Sequence, residues 1–399
     1  MLPVIWVTCI ICVYPMYSHI FSRFSLAAAA LLFCSAAVAE TLPDHYTVYL
    51  GTYSSANGSK GIYRSELKNG KLAEPELVAE TRNASFLAIH PNKKWLYAIN
   101  EIDSLKGKEA GAVTGFAIEK NGGLTLLNQE SSVGPGPAHL AIDPSGKWVL
   151  VANYGSGSSA LLPIGEDGKL GEATAFIKHE AVKPQVSHAH CATFSPDGRF
   201  AFICDAGVDK IHQFKLDNIK GGLIPNDPPF VQIGSGNGTG PRHFVFNQAG
   251  THGYVINETN MTVTVLSYAP AMGVLKPLQT VSTLPSGTVV TKGFSTAEIA
   301  IHPSGKFVFG SNRGFDSIAT FSIDLKSAEL TQTSQQQEGI KVPRNFGIDP
   351  SGRYLLAANQ DADSVVVFEI NQETGALKPT GEAIKLSKPV CVLFLAPAQ

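Results

Sequence analysis

Residues 297–325, AEIAIHPSGKFVFGSNRGFDSIATFSIDL, contain the unit that decides the fold. An apolar run from Glu298 to Ile301 meets the turn His302-Pro303-Ser304-Gly305, an alternating run follows from Lys306 to Ser311, and a third run extends from Ser317 to Ile323 beyond a polar corner. Proline presets φ and glycine tolerates φ > 0, while Phe, Val, Ile and Thr fill the runs between, so the spacing predicts three short antiparallel strands. A single unit of this kind leaves its sheet faces bare. It must stack on neighbours.

Those neighbours are present. The same pattern returns as SFLAIHPNKKWLYAINE from Ser85, AHLAIDPSGKWVLVANY from Ala138, HCATFSPDGRFAFICDA from His190, RHFVFNQAGTHGYVINE from Arg242 and RNFGIDPSGRYLLAANQ from Arg344, with turns at Pro91, Pro144, Pro196, Gln248, Pro303 and Pro350. An interval of roughly 50 residues suits a four-stranded propeller blade, and a Gly-x-Leu stretch such as Gly123-Leu124-Thr125-Leu126 supplies the fourth strand. Before the first full repeat lie three strand-like runs, Thr47 to Tyr53, Gly61 to Leu67 and Lys71 to Glu80; after the last lies one, Cys391 to Leu395. The expected fold is therefore all-β, a seven-bladed β-propeller of four-stranded blades. Its ring is closed by three N-terminal strands and one C-terminal strand, which leaves no open sheet edge.

The first residues do not fit this array. From Met16 the chain reads MYSHIFSRFSLAAAALLFCSAAVAETLP, with Arg23, an apolar run from Leu26 to Phe33 and Ala37-Val38-Ala39. This is the pattern of a cleavable secretory signal. Residues 1–39 are read as a signal peptide with Met16 as the working start and cleavage after Ala39, and residues 40–399 as the propeller in the periplasm or outside the cell. Cleavage would leave Cys191, Cys204 and Cys391. Cys191 and Cys204 fall on adjacent strands of one blade, where an oxidising compartment would permit a bond; the simpler expectation is that they are small buried core residues.

A formal charge of −2 without any Lys/Arg block argues against a nucleic-acid partner. Within residues 40–399 no Cys-x-x-Cys or His-x-x-x-His spacing calls for a metal, and no cofactor is implied. The mature protein is expected off the membrane, as a monomer or weak homodimer acting on a small molecule.

The start of each innermost strand and the end of the strand after it fall at the same end of a blade, so these positions ring one mouth of the central channel. They carry His139, His190 and His243, Arg242, Arg313 and Arg344, Glu101, Glu258 and Glu298, with Asn345 and Gln360. Residues that differ from blade to blade are not needed by the repeat. Clustered titratable groups in a shared cleft point to a site. Asn100, Asn153, Asn257, Asn312 and Asn359 recur instead, and are read as strand-end devices bonding local backbone. His188 is placed at the entrance, whereas His212 and His252 fall on strand or turn positions.

At these residues the chain resembles the lactonase family of seven-bladed propellers, which includes a bacterial type of 6-phosphogluconolactonase and the fungal muconate-lactonising enzymes. The resemblance covers essentially the whole mature chain. It rests on Gly51-Thr52-Tyr53 with Gly61-Ile62-Tyr63, His188-Ala189-His190, Gly240-Pro241-Arg242-His243 with Asn257-Glu258, Ser311-Asn312-Arg313-Gly314, and Pro343-Arg344 with Asn359-Gln360. It implies a hydrolase opening a sugar-acid lactone, with His190, Arg242, Glu258 and Arg313 nearest to the groups that carry chemistry in the muconate-lactonising relatives. His139, His188, His243, Glu298, Arg313, Arg344, Asn345 and Gln360 would contact substrate.

Ring opening needs an activated water, a stabilised oxyanion and a proton for the leaving alkoxide. Glu258 or His190 would take the water's proton and the other return one to the ring oxygen, while Arg242 faces the oxyanion and Arg313 and Arg344 hold an anionic group. Two other readings use the same residues: a non-catalytic propeller that binds an anionic ligand, and a cycloisomerase moving protons on carbon.

Overall fold

The repeat at 297–325 forms the strands Ser295–Ile301, Phe307–Arg313 and Ser317–Ile323, and Leu330–Gln336 completes an antiparallel four-stranded sheet. The computed structural model describes residues 45–395 apart from residue 237. Among them are six sheets built consecutively on this plan, here blades 1 to 6 in chain order, each with its first strand innermost. In blade 7, His45–Thr52, Gly61–Lys68 and the pieces Lys71–Leu72 and Glu76–Glu80 are joined by Pro389–Leu395, with Gly51 opposite Cys391. The three-plus-one closure is therefore present, and no helix occurs in the described residues. The proposed signal peptide and its cleavage point lie outside them.

Three details differ from expectation. The outer strand read as Lys71 to Glu80 is broken at residues 73–75, where Pro75 cannot donate to a ladder. A small hairpin, Ser104–Leu105 with Lys108–Glu109, interrupts blade 1 between its second and third strands. Except in blade 1, whose first strand is only Leu87–Ile89, the innermost strands also begin earlier than their apolar runs, because a bulged segment is part of them.

Apolar side chains fill the space between blades. Trp148, Leu150 and Leu161 of blade 2 pack on Ala201, Ile203 and Phe214 of blade 3, and blade 7 closes the circle through Val48, Leu50 and Val392 against Leu356 and Val367 of blade 6. Cys191, Cys204 and Cys391 are free and buried, as core residues.

The repeated asparagines do more than hold local backbone. Asn153 Nδ2 donates to Ser132 O (3.0 Å) and Asn312 Nδ2 to Thr283 O (3.1 Å), each carbonyl belonging to the segment arriving from the preceding blade. In this way Asn100, Asn153, Asn312 and Asn359 clasp blade to blade, whereas Asn257 bonds Thr262 and Thr264 of its own blade. Because Asn312 is fully buried and its amide also donates to Ser317 Oγ (3.0 Å), Asn312→Ala is expected to cost about 1–3 kcal/mol by removing both bonds, read as a lower urea midpoint with unchanged slope.

Candidate active site

A bulge recurs where the innermost strands reach the mouth. The ladder register shifts between Pro137 and His139, Ala189 and Cys191, Pro241 and His243, and Pro343 and Asn345, leaving Ala138, His190, Arg242 and Arg344 as the extra residues. Adjacent residues of a regular strand face opposite ways, and a bulge re-aims one of them. Arg242 can thus turn back so that its Nη1 reaches Nε2 of its own neighbour His243 at 3.2 Å. In blade 5 the shift is wider, between Thr296 and Ile299, and takes in Glu298.

In six blades the second strand supplies the other half of the rim through the residue at or just beyond its end: Tyr53, Glu101, Tyr154, Glu258, Arg313 and Gln360. A common device fixes most of them. The Glu258 N–H donates to Gly240 O (2.6 Å), Tyr154 N–H to Gly136 O (2.8 Å), Glu101 N–H to Asn83 O (3.0 Å), Gln360 N–H to Val342 O (3.1 Å) and Tyr53 N–H to Lys388 O (3.1 Å). Each accepting residue is left-handed, with φ from +46° at Val342 to +71° at Gly240. For the β-branched Val342 that conformation is strained, and such strain gathers at functional sites.

The charged groups form one network. Glu258 accepts from Arg313 Nη2 and lies 3.6 Å from Arg242 Nε; Arg313 also donates to Thr296 O (2.8 Å) and Arg242 to Ala297 O (2.7 Å). Burial alone would raise the Glu258 pKa, but Arg242 and Arg313 outweigh it and hold the carboxyl below its ordinary value. Arg242 is 2 % exposed, and burial followed by the charge of Arg313 brings its pKa down to about 9, so it stays protonated at neutral pH. Arg344 stacks over the Tyr53 ring at 5.2 Å and makes no ion pair among the described residues.

His190 sits at the heart of this group, 5 % exposed, its ring 5.1 Å from His243 and 5.6 Å from Tyr154. Its Nδ1 has no hydrogen-bond partner. Burial first, and then Arg242 and His243, push its pKa well below the usual histidine value, so the imidazole is neutral.

Not every expected rim residue lies on the rim. His243, Glu298 and Asn345 lie one residue further along their strands than Arg242, Ala297 and Arg344, and are buried as Arg242 and His190 also are. His243 Nδ1 is 3.0 Å from Glu298 Oε1, and Asn345 Nδ2 donates to Glu298 Oε2. His139 is also in this row, against the Phe86 ring at 3.9 Å and the His243 ring at 5.0 Å. His188 is at the entrance, stacked on Tyr154 at 4.4 Å. The Gln360 amide turns to Asp361 Oδ1 (3.1 Å), away from the charged cluster.

Sequence reasoning passed over Tyr53, Tyr154 and Glu101 as individual candidates. The Tyr53 hydroxyl donates to Glu101 Oε2 (2.8 Å), which also accepts from Ser85 Oγ (2.6 Å), so these residues build the blade 7 and blade 1 side of the rim. Their signal was positional, since each follows the last residue of a second strand. Among the described residues no group of three or more His, Cys, Asp or Glu is placed to hold a metal ion.

A family model described as lactonase, 7-bladed beta-propeller, matches residues 47–394. The chain belongs to this lactonase family. It is 34% identical over 360 residues to a 6-phosphogluconolactonase of Bacillus subtilis, a match covering 88% of this chain and 98% of the relative. A 6-phosphogluconolactonase of Formosa agariphila is 35% identical over 315 residues, or 75% of this chain and 86% of its own. Among solved structures, the periplasmic gluconolactonase PpgL of Pseudomonas aeruginosa superposes with a TM-score of 0.82 at 28% identity, over 89% of this chain and 100% of that one. These lactonase relatives favour neither the binding-module nor the cycloisomerase reading.

Proposed function

We propose that this lactonase-family hydrolase opens the ring ester of an aldonic-acid lactone outside the cytoplasm, with His190 as general base and Arg242 as oxyanion partner. The observation that carries the assignment is the unequal engagement of the two candidate bases. Both groups are held in their proton-accepting forms, but Glu258 is committed to two guanidinium groups, whereas His190 keeps an Nδ1 without a partner. His190 takes a proton from water as the oxygen adds to the lactone carbonyl. The carbonyl oxygen gains charge beside Arg242; the ring C–O bond then breaks, and the imidazolium returns its proton to the alkoxide. Glu258 keeps Arg242 and Arg313 aligned. The product acid ionises and releases one proton.

Export follows from the signal pattern of residues 16–39, and it favours an unphosphorylated aldonolactone because sugar phosphates are held in the cytoplasm. The mature chain should begin at Glu40 on N-terminal sequencing; a chain starting at Met1 contradicts export. A pH-stat assay on glucono-1,5-lactone and its 6-phosphate should show acid release above the spontaneous rate, and release from neither sinks the reading. Arg344, without an ion pair, is the place for a substrate anion. Arg344→Ala should therefore raise KM for the phosphorylated lactone about tenfold or more while changing the unphosphorylated one little, since a charged hydrogen bond contributes roughly 1.5–3 kcal/mol.

A further inference from the structure

Beneath the mouth, three buried side chains link blades 7, 6, 5 and 4. The Val392 N–H donates to Asn345 Oδ1 (2.8 Å), which fixes the amide so that Nδ2 must donate to Glu298 Oε2. Glu298 Oε1 accepts the Ile299 N–H at 2.9 Å and faces His243 Nδ1 at 3.0 Å. On its other side His243 meets Arg242 Nη1 at 3.2 Å. A guanidinium nitrogen can only donate, so Nε2 of His243 accepts and its single proton sits on Nδ1, directed at Glu298. Every tautomer in the chain is thereby determined, and all three neighbours of Glu298 are donors.

We propose that Asn345, Glu298 and His243 form a positioning chain that aims the guanidinium of Arg242, and that protonating Glu298 releases it. The proposal rests on the lactonase reading for its kinetic consequence. A proton on Glu298 has no acceptor in this arrangement unless His243 shifts its own proton to Nε2, where it then confronts the Arg242 N–H donor-to-donor. Arg242 loses that bond and is repelled from that side, so that its aim shifts towards its remaining partners, Ala297 O and Glu258. The groups facing Glu298 are Arg242 and His243 from blade 4, His139 from blade 2, Asn345 from blade 6 and Cys391 from blade 7. Burial is the largest influence and Arg242 only partly offsets it, so the carboxyl is raised to about 7. Titration of Glu298 thus falls within the working range, above that of His190.

The test is the pH dependence of lactone opening in the intact protein. Wild type should lose kcat/KM as pH falls through about 7. Glu298→Gln should be slower by about tenfold or more, as for other lost orienting partners, and should lack this limb, its remaining acid fall being the lower one set by His190. Asn345→Asp places a second carboxyl beside Glu298 and should move the limb upward. If both variants keep the wild-type profile and rate within twofold, the proposal is overturned. If wild type opens no lactone, the lactonase reading fails instead, and the chain is then judged by NMR: the His243 ring signals should shift with a midpoint near 7 in wild type and not in Glu298→Gln, and an unchanged midpoint in the variant refutes the chain.

Discussion

His190→Ala is expected to lower kcat for lactone opening by about 10²–10⁴ with KM changing little, because general-base assistance is made mainly in the transition state. Glu258→Gln should be milder in kcat, since its carboxylate serves the arginines and not the water. If His190→Ala kept full activity while Glu258→Gln lost it, the two roles would be reversed. The same substitution has a stability signature. The folded-state pKa of His190 is depressed, chiefly by burial, so the unfolded chain takes up a proton before the native one does. Wild type therefore loses stability as pH falls from about 6.5 towards the lower folded value, and His190→Ala should lose less over that window. Urea midpoints at neutral and mildly acid pH measure the difference; equal losses would mean that the imidazole is not held neutral.

The ring was legible because its signals are local and repeated. Pro-Ser-Gly turns, alternating runs and the unequal strand counts at the two termini each constrain topology without reference to tertiary contacts, and His302-Pro303-Ser304-Gly305 places its blade unaided. The site was legible in its positions and less so in its depth. The innermost-strand starts were visible as pairs, such as Arg242/His243 and Arg344/Asn345, but not the bulge that separates the members of a pair. A bulge depends on a mismatch between two strands, and no residue type in Pro241-Arg242-His243 announces it. His243, Glu298 and Asn345 were accordingly placed with the substrate, whereas they bond one another beneath Arg242. Tyr53 was missed for a related reason: its blade is assembled from both ends of the chain, so its equivalence to Glu258 shows only once the ring is closed.

Arg242→Met should separate activity from stability. The methionine side chain approximates the length of the arginine stem without its charge, and activity should fall about 10²–10³-fold if the guanidinium faces the oxyanion, the loss seen when one such donor is removed. Stability should move far less, and it can rise. Arg242 carries a charge in a site where it is 2 % exposed and its Nε has no hydrogen-bond partner, and replacing a buried ion by an apolar side chain of similar volume is often neutral or favourable. The Glu258 charge is not orphaned, because Arg313 still donates to it. Glu258→Ala is the informative contrast. It leaves Arg242 and Arg313 facing each other without a counter-charge, where Arg313 already weighs on Arg242 and Arg344 on Arg313, and so should cost more stability than Arg242→Met despite removing a more exposed side chain. Guanidinium is unsuitable as denaturant here because it could occupy the vacated site; urea melts of the two variants, set beside their lactone-opening rates, decide the point. An Arg242→Met protein that is active, or one markedly less stable than Glu258→Ala, would show that this buried arginine holds the ring together and does not face the substrate.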